Sequence, residues 1–164
     1  MTVEENKQIA LSWLEALVSG DAEAAVGLID AENFRYFLPG TMPASGWWAK
    51  EGFLASAQMF AGVLAGPVTM RFGEITAEGD RVWVEAESDG PLVGGGRYTN
   101  TYVMAIWVRD GKITRLNEFS DTLHVYETVD APETRGPCKQ RESPIEQVTK
   151  NIEGGSVGSS LPRR

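Results

Sequence analysis

Residues 98–121 read YTNTYVMAIWVRDGKITRLNEFSD, and the fold follows from how this stretch bends. Its Asp110-Gly111 pair suits a type I′ turn, which takes positive φ at both central positions. A two-residue turn there sets Arg109 against Lys112. An unbroken ladder then sets Val108 against Ile113, Trp107 against Thr114, Ala105 against Leu116 and Val103 against Glu118. Strand side chains alternate, so Thr101, Val103, Ala105, Trp107, Leu116, Glu118 and Ser120 are expected on one surface. Asn100, Tyr102, Met104, Ile106, Arg115, Asn117, Phe119 and Asp121 are expected on the other. A carboxylate among Val, Ala, Leu and Trp loses water and resists ionising, which moves it toward the range useful for proton transfer. Glu118 is therefore the candidate catalytic group, with Val103, Trp107, Leu116 and Ser120 lining a pocket around it.

Upstream, the period is helical. Ile9, Trp13, Leu14, Leu17 and Val18 make one apolar face of a helix expected over 4–18, with Thr2 and Glu5 as its capping box. Ser19-Gly20-Asp21 ends that helix and starts a short second one. Residues 34–38 alternate as a short strand ended by Pro39-Gly40. A Gly/Pro/Ser loop carrying Trp47 and Trp48 then leads into a third helix over 50–64. After Gly66-Pro67 the period becomes that of strands, over 68–75, over 81–88 and through the hairpin. Helices followed by strands predict an α+β domain, with three N-terminal helices packed on a curved, largely antiparallel sheet. That domain is expected over 1–129. A polar, Pro/Gly/Ser-rich tail follows over 130–164, with a short helix over 144–152, and serves as an interface arm in one reading.

The 164 residues are 42% hydrophobic and 23% charged, the balance of a globular chain. A net charge of −8 speaks against nucleic acid and against anionic membranes, both of which need a basic face. By formal count the body holds about −9 and the tail about +1. No stretch is apolar for long enough to span a bilayer, and no basic segment leads into an apolar run, so a cytoplasmic location is expected. Cys138 and His124 are single, which argues against a disulfide and against a Cys- or His-rich metal cluster. No metal and no cofactor are expected.

The order of elements resembles the cone-shaped NTF2-like superfamily, and within it the SnoaL-like proteins, relatives of polyketide cyclases and ketosteroid isomerases. The likeness spans residues 1–128. It is most specific at Arg97-Tyr98-Thr99-Asn100-Thr101-Tyr102, at the Asp110-Gly111-Lys112-Ile113 turn, and at Glu118-Phe119-Ser120-Asp121. By that resemblance Glu118 falls where the cyclases and limonene-epoxide hydrolases place a catalytic aspartate. Three departures accompany it. Phe37, Leu38 and Pro39 stand near the position of the isomerases' aspartate. Val103, Ala105 and Trp107 occupy the strand that carries the cyclases' histidine. Glu85 and Glu87 lie near the hydrolases' Arg-x-Asp without an arginine in register. The resemblance further implies a small symmetric oligomer.

These readings combine into one expectation. The chain is a cofactor-independent acid–base enzyme of lyase or isomerase/cyclase type, acting on a small hydrophobic, aromatic or polycyclic molecule in an enclosed pocket. Glu118 moves the proton and Tyr36 donates to a developing oxyanion. Trp47 and Trp48 form the pocket lip, and Tyr98, Asn100 and Asp121 give support, Asp121 as a turn cap. Gly94-Gly95-Gly96 lacks the context of a phosphate loop and reads as a hinge or rim. A binding or carrier protein of the same fold, an assembly subunit and an epoxide hydrolase-like activity are the alternatives. A second polar group within reach of Glu118 favours the enzyme. The outer patch of Tyr102, Met104, Ile106 and Phe119 predicts a homo-oligomer, a dimer foremost, split by Ile106→Glu.

Overall fold

The computed structural model describes residues 1–130; the expected tail and its 144–152 helix lie outside the described residues. Thr2 caps α1 (Val3–Ser19) through the Glu5 amide, while the Glu5 carboxylate accepts from the Thr2 amide. Asp21 caps α2 (Ala22–Leu28) through the Ala24 amide. Then come β1 (Arg35–Leu38), β2 (Gly46–Ala49), α3 (Lys50–Val63), β3 (Thr69–Glu78) and β4 (Arg81–Pro91). The hairpin of β5 (Arg97–Arg109) and β6 (Lys112–Ser120) follows, and α4 (Thr122–Val125) runs into a π-helical turn at Tyr126–Asp130.

The sheet order is β2-β1-β6-β5-β4-β3, parallel only where β1 meets β6. This is the expected α+β architecture, with a fourth short helix and one extra strand. β2 escapes sequence reading because its four residues show no period of their own. They become strand by pairing Trp47 with Phe37 and Trp48 with Tyr36. α1 packs across β3 to β6 and α3 against β1 and β2, so the helices cover one face of the sheet. Trp13, Phe34, Phe53, Val82, Val84, Ile106 and Leu116 fill the space between. Among the described residues no helix is long and apolar enough to cross a membrane.

The turn forms as its sequence demands, with Asp110 at φ 50° and Gly111 at φ 76°, and it pairs Arg109 with Lys112 and Val108 with Ile113. Beyond that the ladder slips. Trp107 pairs with Arg115, Ile106 with Leu116, Met104 with Glu118 and Tyr102 with Ser120, so Thr114 is an extra residue in a β-bulge. One unpaired residue reverses the correspondence between the two strands' faces. Tyr98, Asn100, Tyr102, Met104, Ile106 and Val108 of β5 are buried on the helix-covered face with Leu116 and Glu118, and Ala105 is buried on the other face. Asn100 is thus inside, contrary to the unbroken ladder. Val103, 39% exposed, and Trp107 lie outside with Arg115, Asn117 and Phe119. Tyr102, Met104 and Ile106 form no outer patch, and Ile106→Glu would report on folding instead of assembly.

Candidate functional site

β1 lies parallel to β6 with Tyr36 beside Leu116, which brings Tyr36 next to the inward residue two further along, Glu118. The Tyr36 hydroxyl donates to the Glu118 Oε2 at 3.4 Å. Its ring is held edge-on by Phe53 at 5.1 Å, and Phe53 packs in turn on Phe34 and Trp13. An aromatic cluster thereby fixes the phenol that faces the carboxylate.

Glu118 keeps some surface exposed, yet its carboxyl is stripped of water by what surrounds it. That desolvation pushes its pKa up to about 7, against the opposing pull of the Tyr36 hydrogen bond. Burial, reinforced by the Glu118 charge, holds Tyr36 far above the ordinary phenol value, so it stays a neutral donor. The pair can accept a proton from a bound molecule near neutral pH and hold it in place.

A chain of polar groups continues along the same face. The Tyr102 hydroxyl lies 3.0 Å from the Ser88 Oγ and 3.0 Å from the Tyr98 hydroxyl. The Asn100 Nδ2 donates to the Tyr98 oxygen at 2.9 Å. The Asn100 amide cannot flip, because its Oδ1 accepts from the backbone amides of Thr101 and Asp121. Desolvation raises Tyr98 to about 12, although both Asn100 and Tyr102 stabilise its anion. Tyr102 is pushed well above the usual phenol value, first by burial. Ser88 and Tyr102 escaped sequence reading as site residues. The available signal is the pair of polar residues Asn100 and Tyr102 at alternate positions, which an unbroken ladder turns outward and the bulge turns inward.

Asp121 caps α4 through the His124 amide, the capping role expected of it. The His124 ring stacks on Tyr98 at 5.2 Å, and Phe60 meets the same ring edge-on at 4.8 Å. Ser120 pairs with Tyr102 across the ladder, and its buried Oγ has no hydrogen-bond partner among the described residues.

The expected lining divides between the two faces. Leu116 and Ser120 share the Glu118 face. Trp48 lies against Gly52, where even a Cβ would stand 2.5 Å from its ring, and its Nε1 donates to the Ala44 carbonyl. Trp47 and Trp107 do come together, but outside, flanking the Arg115 guanidinium at 4.8 and 4.2 Å from their ring centres. They line a cleft of about 510 Å³ on that outer face, and a second of about 490 Å³ lies along the start of α1. Neither cleft includes Glu118. Among the described residues no three metal-ligating side chains converge.

A family profile for the SnoaL-like domain matches residues 10–116. Among solved structures, an NTF2-like protein of Burkholderia xenovorans LB400 is 26% identical, with a TM-score of 0.61 over 79% of this chain and 98% of that one. IdmH of Streptomyces antibioticus, proposed as a polyketide cyclase, is 24% identical, with a TM-score of 0.63 over 79% and 99%. TerC, crystallised with polyporic acid, is 22% identical, with a TM-score of 0.64 over 77% and 98%. No curated protein matches the sequence.

Proposed function

Because this chain belongs to the SnoaL-like family, we propose that it is a cofactor-independent acid–base enzyme of lyase or isomerase/cyclase type, acting on a small hydrophobic, aromatic or polycyclic molecule. The observation that carries this reading is the Tyr36–Glu118 pair: a desolvated carboxylate with a second polar group in reach. A purely apolar binding pocket has no use for a strained-to-ionise acid, whereas proton transfer does. The fold neighbours IdmH and TerC, one proposed as a polyketide cyclase and one crystallised with polyporic acid, support a small organic ligand.

The test needs no knowledge of the natural product. With β-tetralone in D2O, exchange at the carbon beside the carbonyl is followed by NMR. A base works only when deprotonated, so the enzymatic rate rises with pH and levels off above about 7. A profile that stays flat across that pH rejects Glu118 as the base.

The oligomer also belongs to this reading. The outer sheet face carries Phe119 at 40%, Val103 at 39% and Trp47 at 55% exposure, and no described helix covers it. A dimer that buries this face is the form expected in solution. Phe119→Glu strands a charge in such a contact without touching the interior, so light scattering should find the wild-type dimer reduced to monomers. A wild-type monomer at micromolar concentration contradicts the assembly.

A further inference from the structure

The buried hydroxyl chain holds one proton more than its own contacts consume. Ser88, Tyr102 and Tyr98 contribute one O–H each, and two contacts link them, each 3.0 Å long. Each contact uses one proton, so one of the three hydroxyls has nothing in the chain to donate to. Asn100 adds a donor instead of an acceptor: its Nδ2 points at the Tyr98 oxygen, and two backbone amides keep it from turning over. Either atom of each 3.0 Å contact can be the donor; in the direction that runs from Ser88 to Tyr102 to Tyr98, the Tyr98 oxygen accepts twice and its proton is left to give. Two accepted hydrogen bonds polarise that O–H and make it a stronger donor.

The single proton of Tyr36 is directed at Glu118 in this structure. The charge on Glu118 acts on Tyr98 and on Tyr102 alike, which puts the carboxylate and the chain in one electrostatic cluster. Nearby, the Ser120 Oγ is a second buried hydroxyl with no partner among the described residues. An unmet buried polar group is costly, and a ligand oxygen would relieve it.

We propose that Tyr98 is the donor that holds an oxygen of the bound molecule, with Asn100 and Tyr102 as its positioning residues. The ligand is accordingly a flat apolar molecule carrying a carbonyl or an oxyanion. Tyr98 is 2% exposed, closed in by Phe60 and His124, so the ligand reaches it from the side of Glu118 and Ser120, which are only half-buried. This deepens the acid–base reading and rests on it for the use made of the donor. The Glu118 carboxylate takes a proton from the carbon beside the carbonyl. The C–H electron pair forms the new C=C bond, and the C=O π pair moves onto oxygen. Tyr98 donates a hydrogen bond to that oxygen and keeps its proton, and return of the Glu118 proton to carbon restores the enzyme.

The experiment compares para-nitrophenol, above its own pKa, with its methyl ether para-nitroanisole. It is done in the full-length Glu118→Gln chain, where no carboxylate opposes the anion. Saturable binding is expected, with the phenolate favoured by about tenfold to a hundredfold and its absorption band moved to shorter wavelength by the donated hydrogen bond. Adding Tyr98→Phe keeps the ring between Phe60 and His124 and removes both the preference and the band shift. Adding Tyr102→Phe weakens the preference only in part, since Tyr98 keeps its proton. Absence of saturable binding, equal affinity for the two probes, or a preference that survives Tyr98→Phe overturns the assignment. The Glu118→Gln chain has no base, so a donor found there stands even if the β-tetralone profile proves flat. The converse result would spare Glu118 and remove Tyr98.

Discussion

Glu118→Gln lowers the rate of α-proton exchange by about a hundredfold to ten-thousandfold, the usual cost of losing a general base. The amide has the shape of the carboxylate and still accepts from the Tyr36 hydroxyl, so the aromatic cluster behind that phenol keeps its packing. It cannot take up a proton at neutral pH. The loss is worth about 3–5 kcal/mol of transition-state stabilisation, which sets it apart from any effect of a slightly shifted side chain. Single-turnover exchange of β-tetralone measures it directly. An undiminished rate in the Gln variant makes Glu118 a structural residue.

The same substitution stabilises the fold, and does so only at higher pH. Glu118 titrates near about 7 in the folded chain, well above its ordinary value of 4.5. Between those two values the unfolded chain has released the proton and the folded chain still holds it. Unfolding then releases a proton, so the wild type loses stability as pH rises through this window. Above about 7 the full cost of the ionised, desolvated carboxylate is present, about 3 kcal/mol. Gln carries no such cost. Urea unfolding at about pH 8 should find the variant more stable by roughly that amount, with the gap closing at about pH 4. A gap that does not change with pH would mean that Glu118 is not desolvated in the fold.

Local chemistry was legible wherever a residue acts on its own neighbours. Thr2 with Glu5, Asp21, and the Asp110-Gly111 turn each form as their side chains require. Glu118 was legible because an acid in an apolar strand stands out whichever strand it faces. What sequence could not reveal was relative placement. No residue announces the bulge at Thr114, because a bulge is settled by how two strands fit the curvature of the sheet. Without it Tyr98, Asn100 and Tyr102 turn outward and Trp107 and Val103 turn inward, the reverse of the structure. β2 was hidden for a related reason, since Trp47 and Trp48 become strand only through Phe37 and Tyr36.

Thr114 also divides β6 into two phases. Ahead of it, Ile113 points to the helices on one count of odd and even; past it, Leu116, Glu118 and Ser120 point there on the other. Chain length between the turn and the carboxylate is therefore a parity device. Remove that one residue and the six that follow it would have to choose between exposing Leu116 to water and abandoning their pairing with β5. Substitutions can tune the acid, but only an insertion or deletion can carry it through the sheet, so descendants of this chain inherit its sidedness as a count instead of a residue.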